Sequence, residues 1–194
     1  MGIVSGMRAL ILNGSARPIG STGNIVGDIV EELEKGGVET LHVPLYEYHF
    51  NACNACHTCE MRGDGRCMDE ADGTNEILEV MRQADLIILA APGYAAGVPG
   101  VMKLFLEKAA LVLCKGDRGL HGKYGAVISV AEHDGADAAY NELVYWMLHN
   151  EMHVIGSCPL TSFKTGYDDY RKDILGMKGL KNLVSHILEI AEKE

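Results

Sequence analysis

The chain has 194 residues, of which 47% are hydrophobic and 23% are charged, a composition typical of a soluble globular domain rather than a disordered chain. Lys and Arg number 17 against 27 Asp and Glu, so the formal net charge is −10. This balance disfavours nucleic acid as a partner, because binding to phosphates requires a basic surface. No apolar run reaches the roughly 18 residues of a membrane helix, and no signal-like segment begins the chain. We therefore expect a cytoplasmic protein with neither a nucleic-acid nor a membrane partner.

Short apolar runs alternate along the chain with segments of helical periodicity. The apolar runs predict five buried strands, over residues 8–13, 40–45, 85–91, 124–130 and 152–158. Apolar residues at helical spacing predict helices over residues 25–33, 77–82, 101–113, 140–150 and 180–191. This alternation predicts an α/β fold: one doubly wound, five-stranded parallel sheet in the flavodoxin-like order 2-1-3-4-5. We expect a single domain over residues 1–194, with a cysteine-rich segment after strand 2 at about 49–75, too long for an ordinary connection.

The loop after the first strand carries polar residues that suit a phosphate group. Ser15, Arg17, Ser21 and Thr22 lie just before or at the start of the first helix, where free N–H groups and the helix dipole favour anions. Arg17 could pair with a phosphate through two hydrogen bonds. The Rossmann and Walker spacings are both absent, and a simple capped turn is the structural alternative.

This loop resembles one in a known enzyme family. Gly14-Ser15-Ala16-Arg17, followed by Gly20-Ser21-Thr22, is similar to the FMN-phosphate loop of the NADPH-dependent FMN reductases. The resemblance implies that Ser15, Arg17, Ser21 and Thr22 bind the phosphate of FMN.

The loop after the third strand is compact and rich in Pro and Gly, over residues 91–99. Its small residues allow backbone groups to reach a flat ligand, on which Tyr94 could stack; a turn with a packed Tyr is the alternative. In the FMN reductases the similar loop lines the isoalloxazine ring. The resemblance implies flavin contacts from Pro92, Gly93, Tyr94, Ala95 and Gly97. In the loop after the fourth strand, Ala131 is implied at the pyrimidine edge, although Ala131 and Glu132 replace the usual glycine pair.

Four of the six cysteines lie within fifteen residues, with the spacing C-x2-C-x2-C-x7-C. They are Cys53, Cys56, Cys59 and Cys67. Three cysteines at one repeated spacing favour the corners of a [4Fe–4S] cluster, while a four-cysteine zinc site and a metal-free loop remain open. Disulfides are disfavoured in a reducing compartment. Cys114 and Cys158 are isolated, and we expect both to be small core residues.

The cysteine spacing resembles that of the iron–sulfur flavoprotein branch of the same family, which carries C-x2-C-x2-C-x4–7-C after its second strand. The resemblance implies FMN and a [4Fe–4S] cluster as cofactors, with Cys53, Cys56, Cys59 and Cys67 as the iron ligands. Asp69 and Asp72 occupy the acidic stretch that commonly follows this motif. His57 lies inside the motif but is not expected to be a ligand.

These cofactors together indicate electron transfer between FMN and the cluster, in which no catalytic side chain is required. We expect a small redox partner, either NAD(P)H or a ferredoxin-like protein. The resemblance also implies a homodimer or homotetramer, and the apolar helix at 101–113 and Trp146 agree with either subunit contact or ordinary burial. One alternative is an NAD(P)H-dependent FMN reductase with no cluster or with a zinc-bound cysteine loop. A flavodoxin-like sensor or structural module is another.

Overall fold

The computed structural model, which describes residues 6–166 and 168–193, contains six strands and six α-helices. The strands are β1 (Arg8–Asn13), β2 (Glu39–Pro44), β3 (Leu86–Pro92), β4 (Tyr124–Ala131), β5 (His153–Val154) and β6 (Ser162–Lys164). The helices are α1 (Ser21–Lys35), α2 (Thr58–Arg62), α3 (Thr74–Gln83), α4 (Gly100–Val112), α5 (Ala136–His149) and α6 (Ile174–Ala191). None of these helices is both long and apolar enough to cross a membrane. Residues 1–5, 167 and 194, which the expected domain of 1–194 includes, lie outside the described residues.

The strands form one parallel sheet in the order β2-β1-β3-β4-β5, as predicted. Every residue of the central strand β3 is buried, because helices cover both faces of the sheet. Helices α3, α4 and α5 pack on one face around residues such as Leu89 and Phe105. Helices α1 and α6 pack on the other face around Ile29 and Ile187. The carboxyl ends of β1, β3 and β4 therefore meet at one edge of the sheet.

The last part of the sheet differs from the prediction of one strand over residues 152–158. Only His153–Val154 pairs as β5. Ile155 N donates a hydrogen bond to Gly125 O at 2.7 Å, and after this contact the chain leaves the edge of β4. The short strand β6, which the sequence did not reveal, then pairs in parallel with the end of β4, placing Phe163 opposite Val130. β4 thus has two short neighbours on one edge instead of one long strand.

Burial within one chain explains the apolar bulk of Trp146. Its indole Nε1 donates a hydrogen bond to Leu106 O on α4 at 2.9 Å, and its side chain belongs to the core. Cys158 is exposed in the loop between β5 and β6, so its prediction as a core residue is wrong. Cys114 is half-buried, with its thiol 3.4 Å from His149 O.

Candidate functional site

A cavity of about 1210 Å³ opens where β1, β3 and β4 end, and we call it the strand-end cavity. The loops after these three strands form most of its wall, as expected for ligand sites in open α/β sheets. Eight residues named from the sequence line it: Ser15, Arg17, Ser21, Thr22, Pro92, Gly93, Tyr94 and Ala131. Ala95 and Gly97 belong to the same loop as Tyr94 but do not line the cavity.

The loop after β1 is held by its own polar side chains. Asn13 Oδ1 accepts a hydrogen bond from Ser15 N at 2.9 Å, and Ser15 Oγ accepts one from Arg17 N at 3.2 Å. These bonds turn the chain from β1 into α1. Helix α1 begins at the cavity with no side-chain cap and no acidic residue in its first turn. Its first N–H groups and its dipole therefore make this end of the cavity favourable for an anion.

Arg17 crosses toward the loop after β4. One guanidinium nitrogen lies 3.7 Å from Glu132 Oε1, and the Arg17 side chain is 70% exposed. Exposed pairs of this kind contribute little to stability, so the guanidinium is free to exchange Glu132 for a ligand phosphate. Glu132 itself is half-buried and paired with Arg17.

The loop after β3 closes into a tight turn. Tyr94 N donates to Gly97 O at 2.9 Å, and Gly97 N donates to Tyr94 O at 3.0 Å. Between them Ala95 and Ala96 have φ values of 48° and 61°, a left-handed conformation that is unfavourable for residues other than Gly. The turn thus presents Tyr94 at the cavity in a fixed backbone frame, and Ala95 and Gly97 contribute to its shape.

The start of α5 fixes this loop from the side. A Cβ placed on Gly93 would lie only 2.6 Å from the carbonyl C and O of Gly135, so glycine permits the two loops to approach. Glu142 of α5 accepts a hydrogen bond from Val98 N at 3.1 Å and pairs with Lys103 at 2.8 Å. Sequence reasoning did not identify Glu142, because its partner is 44 residues away along the chain.

Residues 168–171, between β6 and α6, form a further wall of the strand-end cavity. Tyr170 Oη donates to Asp28 Oδ2 at 2.6 Å, and Arg171 pairs with Asp28 at 3.2 Å. The Arg171 guanidinium lies 4.5 Å from the Tyr170 ring centre, in cation–π contact. These contacts tie the segment to α1. No sequence motif had pointed to it.

A second cavity of about 450 Å³ is bordered by all four cysteines of the motif, Cys53, Cys56, Cys59 and Cys67. We call it the cysteine cavity. Leu111 and Val112 of α4 supply apolar wall. Ala55 and His57, with φ values of 53° and 57°, turn the chain between the cysteines in the left-handed conformation. Both predicted cofactor regions therefore form cavities, one at the ends of the strands and one against α4.

The thiols differ in their surroundings. Burial raises the pKa of the Cys59 thiol, and the nearby Cys67 and Cys53 raise it further by charge repulsion. Hydrogen bonds from Thr58 lower the pKa of Cys56. Cys53, Cys59 and Cys67 thus lie close enough for the charge of one thiolate to affect the others. Within residues 6–166 and 168–193, no group of three His, Cys, Asp or Glu side chains has the arrangement of a single-ion site.

Comparison with known proteins identifies the family. The model of the NADPH-dependent FMN reductase family matches residues 7–165. The chain is 26% identical to an iron–sulfur flavoprotein of Methanocaldococcus jannaschii, over 96% of this chain and 98% of the relative. It is 28% identical to an iron–sulfur flavoprotein of Methanosarcina thermophila, over 96% of each chain.

Solved structures share the fold at low sequence identity. RosB superposes with a TM-score of 0.71 at 20% identity, covering 97% of this chain and 81% of RosB. A WrbA-like flavodoxin from Agrobacterium tumefaciens superposes with a TM-score of 0.62 at 12% identity, covering 97% of this chain and 99% of that one. Because the family match spans most of the chain, the chain belongs to the NADPH-dependent FMN reductase family, whose members are flavin-dependent oxidoreductases, and its curated relatives are named iron–sulfur flavoproteins.

Proposed function

We propose that this protein transfers electrons between FMN in the strand-end cavity and a [4Fe–4S] cluster in the cysteine cavity. The observation that carries the proposal is the presence, in one chain, of two separate cavities with different donors. One has hydroxyls, an arginine and an uncapped helix terminus. The other has four cysteines and apolar walls. FMN accepts electrons singly or as a hydride, whereas a cluster passes one at a time, so such a protein converts between the two kinds of carrier.

The strand-end cavity suits FMN in its chemistry. Its anion-favouring end, with Ser15, Arg17, Ser21 and Thr22, would hold the phosphate. Small residues and an aromatic ring in the loop after β3 would hold the flat ring: Pro92, Gly93 and Tyr94. Ala131, which is buried at the end of β4, would border the ring from the other side. The role of the protein here is to bind the flavin, orient it and exclude water.

The cysteine cavity suits a cluster in its donor set. Thiolates are the ligands that iron–sulfur clusters use, and four are available: Cys53, Cys56, Cys59 and Cys67. The four cysteines border one cavity of about 450 Å³. The hydrophobic wall from Leu111 and Val112 would limit access of water, which influences the reduction potential.

We also propose that NAD(P)H or a ferredoxin-like protein exchanges electrons with the chain, and that the chain acts as a homodimer or homotetramer. No acid or base is required for electron transfer, so no catalytic side chain is assigned. The competing function, a reductase that uses NAD(P)H and FMN without a cluster, is favoured by the same strand-end cavity. The cysteine cavity distinguishes the two.

The test is anaerobic purification, with the visible spectrum, FMN, iron, acid-labile sulfide and zinc measured on one sample. We expect flavin bands above a broad absorbance, with iron and sulfide in equal amounts. Cys53→Ser should lose the iron and sulfide but keep FMN. Cys158→Ser is the matched control, because Cys158 is exposed outside the motif, and it should keep both cofactors. Flavin with zinc, or flavin with no metal, would contradict the proposal and leave the cluster-free reductase.

A further inference from the structure

One lysine is buried between α4 and the cysteine segment. The Lys108 side chain is only 3% exposed, and its Nζ lies 2.9 Å from Asp69 Oδ2 and in closer contact with Asp72 Oδ2. The Asp72 side chain is itself 1% exposed. Burial alone would lower the pKa of Lys108, but its hydrogen bonds to Asp72 and Asp69 outweigh burial and raise that pKa. A charged group is tolerated at such depth only when it is paired in this way.

The two carboxylates hold both ends of the cysteine segment. Asp72 accepts hydrogen bonds from Asn51 N at 3.1 Å and from Thr74 N, at the start of α3, at 3.0 Å. Asp69 accepts one from the Asn51 side chain at 3.1 Å. The chain therefore enters and leaves residues 51–74 at the same ion cluster, and Lys108 ties that point to α4. Closing a long loop has an entropic cost that such an anchor must offset.

The anchor is adjacent to two of the four cysteines. Cys53 follows Asn51 by two residues, and Cys67 precedes Asp69 by two. Asn75 fixes the Cys67 backbone further, accepting from Cys67 N at 2.8 Å and donating to Cys67 O at 3.0 Å. Lys108 and Asp69 also line the cysteine cavity itself.

We propose that Lys108 is a positioning residue that forms the cysteine cavity before any metal group binds. It does so by joining the two ends of residues 51–74 through Asp69 and Asp72. Without the ammonium, two neighbouring carboxylates, one of them buried, would repel each other and draw water into the contact. The ends of the segment would separate and the thiols would lose their common cavity. The link to metal binding rests on the electron-transfer function proposed above, whereas the effect on the segment does not.

The experiment compares metal-free wild-type protein with Lys108→Met, which removes the charge and keeps most of the side-chain length. Lys35→Met is the matched control: Lys35 also contacts two carboxylates, Glu31 at 2.8 Å and Glu32 at 2.9 Å, but it is 59% exposed on α1. Hydrogen–deuterium exchange is followed by mass spectrometry, together with the alkylation rate of each motif cysteine.

In Lys108→Met we expect amides of residues 51–74 to exchange at least about tenfold faster, because local opening becomes easier. The motif thiols should be alkylated faster, and amides of β1 and β3 should keep wild-type rates. Lys35→Met should match wild type throughout. Wild-type exchange and alkylation in the cysteine segment of Lys108→Met would overturn the proposal.

If Lys108→Met fails to fold, Asp69→Asn replaces it, because it preserves the buried pair of Lys108 with Asp72. We then expect faster amide exchange near Asn51 alone, and unchanged exchange there would overturn the proposal.

In iron-loaded protein, Lys108→Met should shift the cluster midpoint potential to a more negative value. The negative charge of the two carboxylates would no longer be balanced by an ammonium, and this charge disfavours the addition of an electron to the cluster. The FMN midpoint should not move, and a cluster potential equal to that of wild type would count against the role. The exchange experiment uses metal-free protein, so its result does not depend on whether the wild type binds iron. The proposal for Lys108 and the proposed electron-transfer function can therefore be refuted separately.

Discussion

Replacing Gly93 by alanine tests whether the close approach of two loops creates the FMN site. Gly93 lies directly after β3 and lines the strand-end cavity. Its added Cβ would lie 2.6 Å from the carbonyl C and O of Gly135 and 2.9 Å from Ala136 N. All three atoms are backbone, so no side-chain rotation can relieve the clash. The loops after β3 and β4 would have to move apart.

The size of the effect follows from this geometry. Ordinary contact begins at 3.4 Å, so the separation must grow by about 0.8 Å, from 2.6 Å. Forcing one methyl group into a packed contact typically costs about 1–3 kcal/mol. If that cost falls on the loops that hold the flavin, the Kd for FMN rises by about 5- to 150-fold.

The assay is titration of FMN-free protein with FMN, followed by quenching of flavin fluorescence. Gly100→Ala is the control, because a Cβ at Gly100, the first residue of α4, meets no atom within 4 Å. Its Kd should equal that of wild type. Thermal unfolding of the FMN-free variants shows whether the fold also loses stability. A Kd for Gly93→Ala within twofold of the control would refute this account of the cavity.

Three further predictions concern single contacts. Glu132→Gln releases Arg17 from its ion pair, so FMN should bind up to about fivefold more tightly at low salt, as measured by the same titration. Trp146→Phe removes the hydrogen bond to Leu106 O, which should lower the free energy of unfolding in urea by about 1 kcal/mol. The hydrogen bond from a buried lysine holds the pKa of Asp69 at about 2, below its unfolded value of about 3.9. The stabilisation that the ionised Asp69 carboxylate gives the folded state is therefore complete above about pH 4 and is lost as the pH falls toward 2. The free energy of unfolding should thus decline more steeply with falling pH in wild type than in Asp69→Asn.

Each of these predictions has a clear opposite result. An unchanged Kd for Glu132→Gln would mean that the ion pair does not compete with the phosphate. The control for Trp146→Phe is Tyr145→Phe, which should leave the free energy of unfolding unchanged because Tyr145 is exposed. Equal effects of the two variants would mean that the hydrogen bond from the Trp146 indole does not stabilise the fold. Parallel stability curves for wild type and Asp69→Asn between about pH 6 and pH 2 would show that the Asp69 carboxylate contributes nothing.

The sheet could be predicted from the sequence where burial on both faces left a continuous apolar run, as in β3 over Leu86–Pro92. The last strands could not. The apolar run from Met152 covers both β5 and the turn after it, and β6 has only three residues, one of them the fully buried Phe163. Such a strand is defined by its pairing with the end of β4, a contact that local periodicity does not encode.

The same distinction applies to the two cavities. The loop after β1 and the four cysteines could be selected from the sequence as cavity-lining residues, because the members of each group are close together along the chain. Lys108, Glu142 and the wall at residues 168–171 act through partners far along the chain, 36 and 39 residues away for Lys108. The sequence places Lys108 on a predominantly apolar helix, but it does not show that Asp69 and Asp72 pair with it, because these contacts form only in the folded chain.

Helix α4 has a consequence for the distance between the two cavities. It begins at Gly100, directly after the loop that presents Tyr94, and reaches Lys108 at the cysteine cavity without a break. Eight residues at 1.5 Å each span about 12 Å. Within one subunit, this part of the spacing is set by regular backbone hydrogen bonding and not by loop conformation. The loops at either end can therefore change in sequence, and in the molecules they admit, while helix α4 keeps the separation between the two cavities constant.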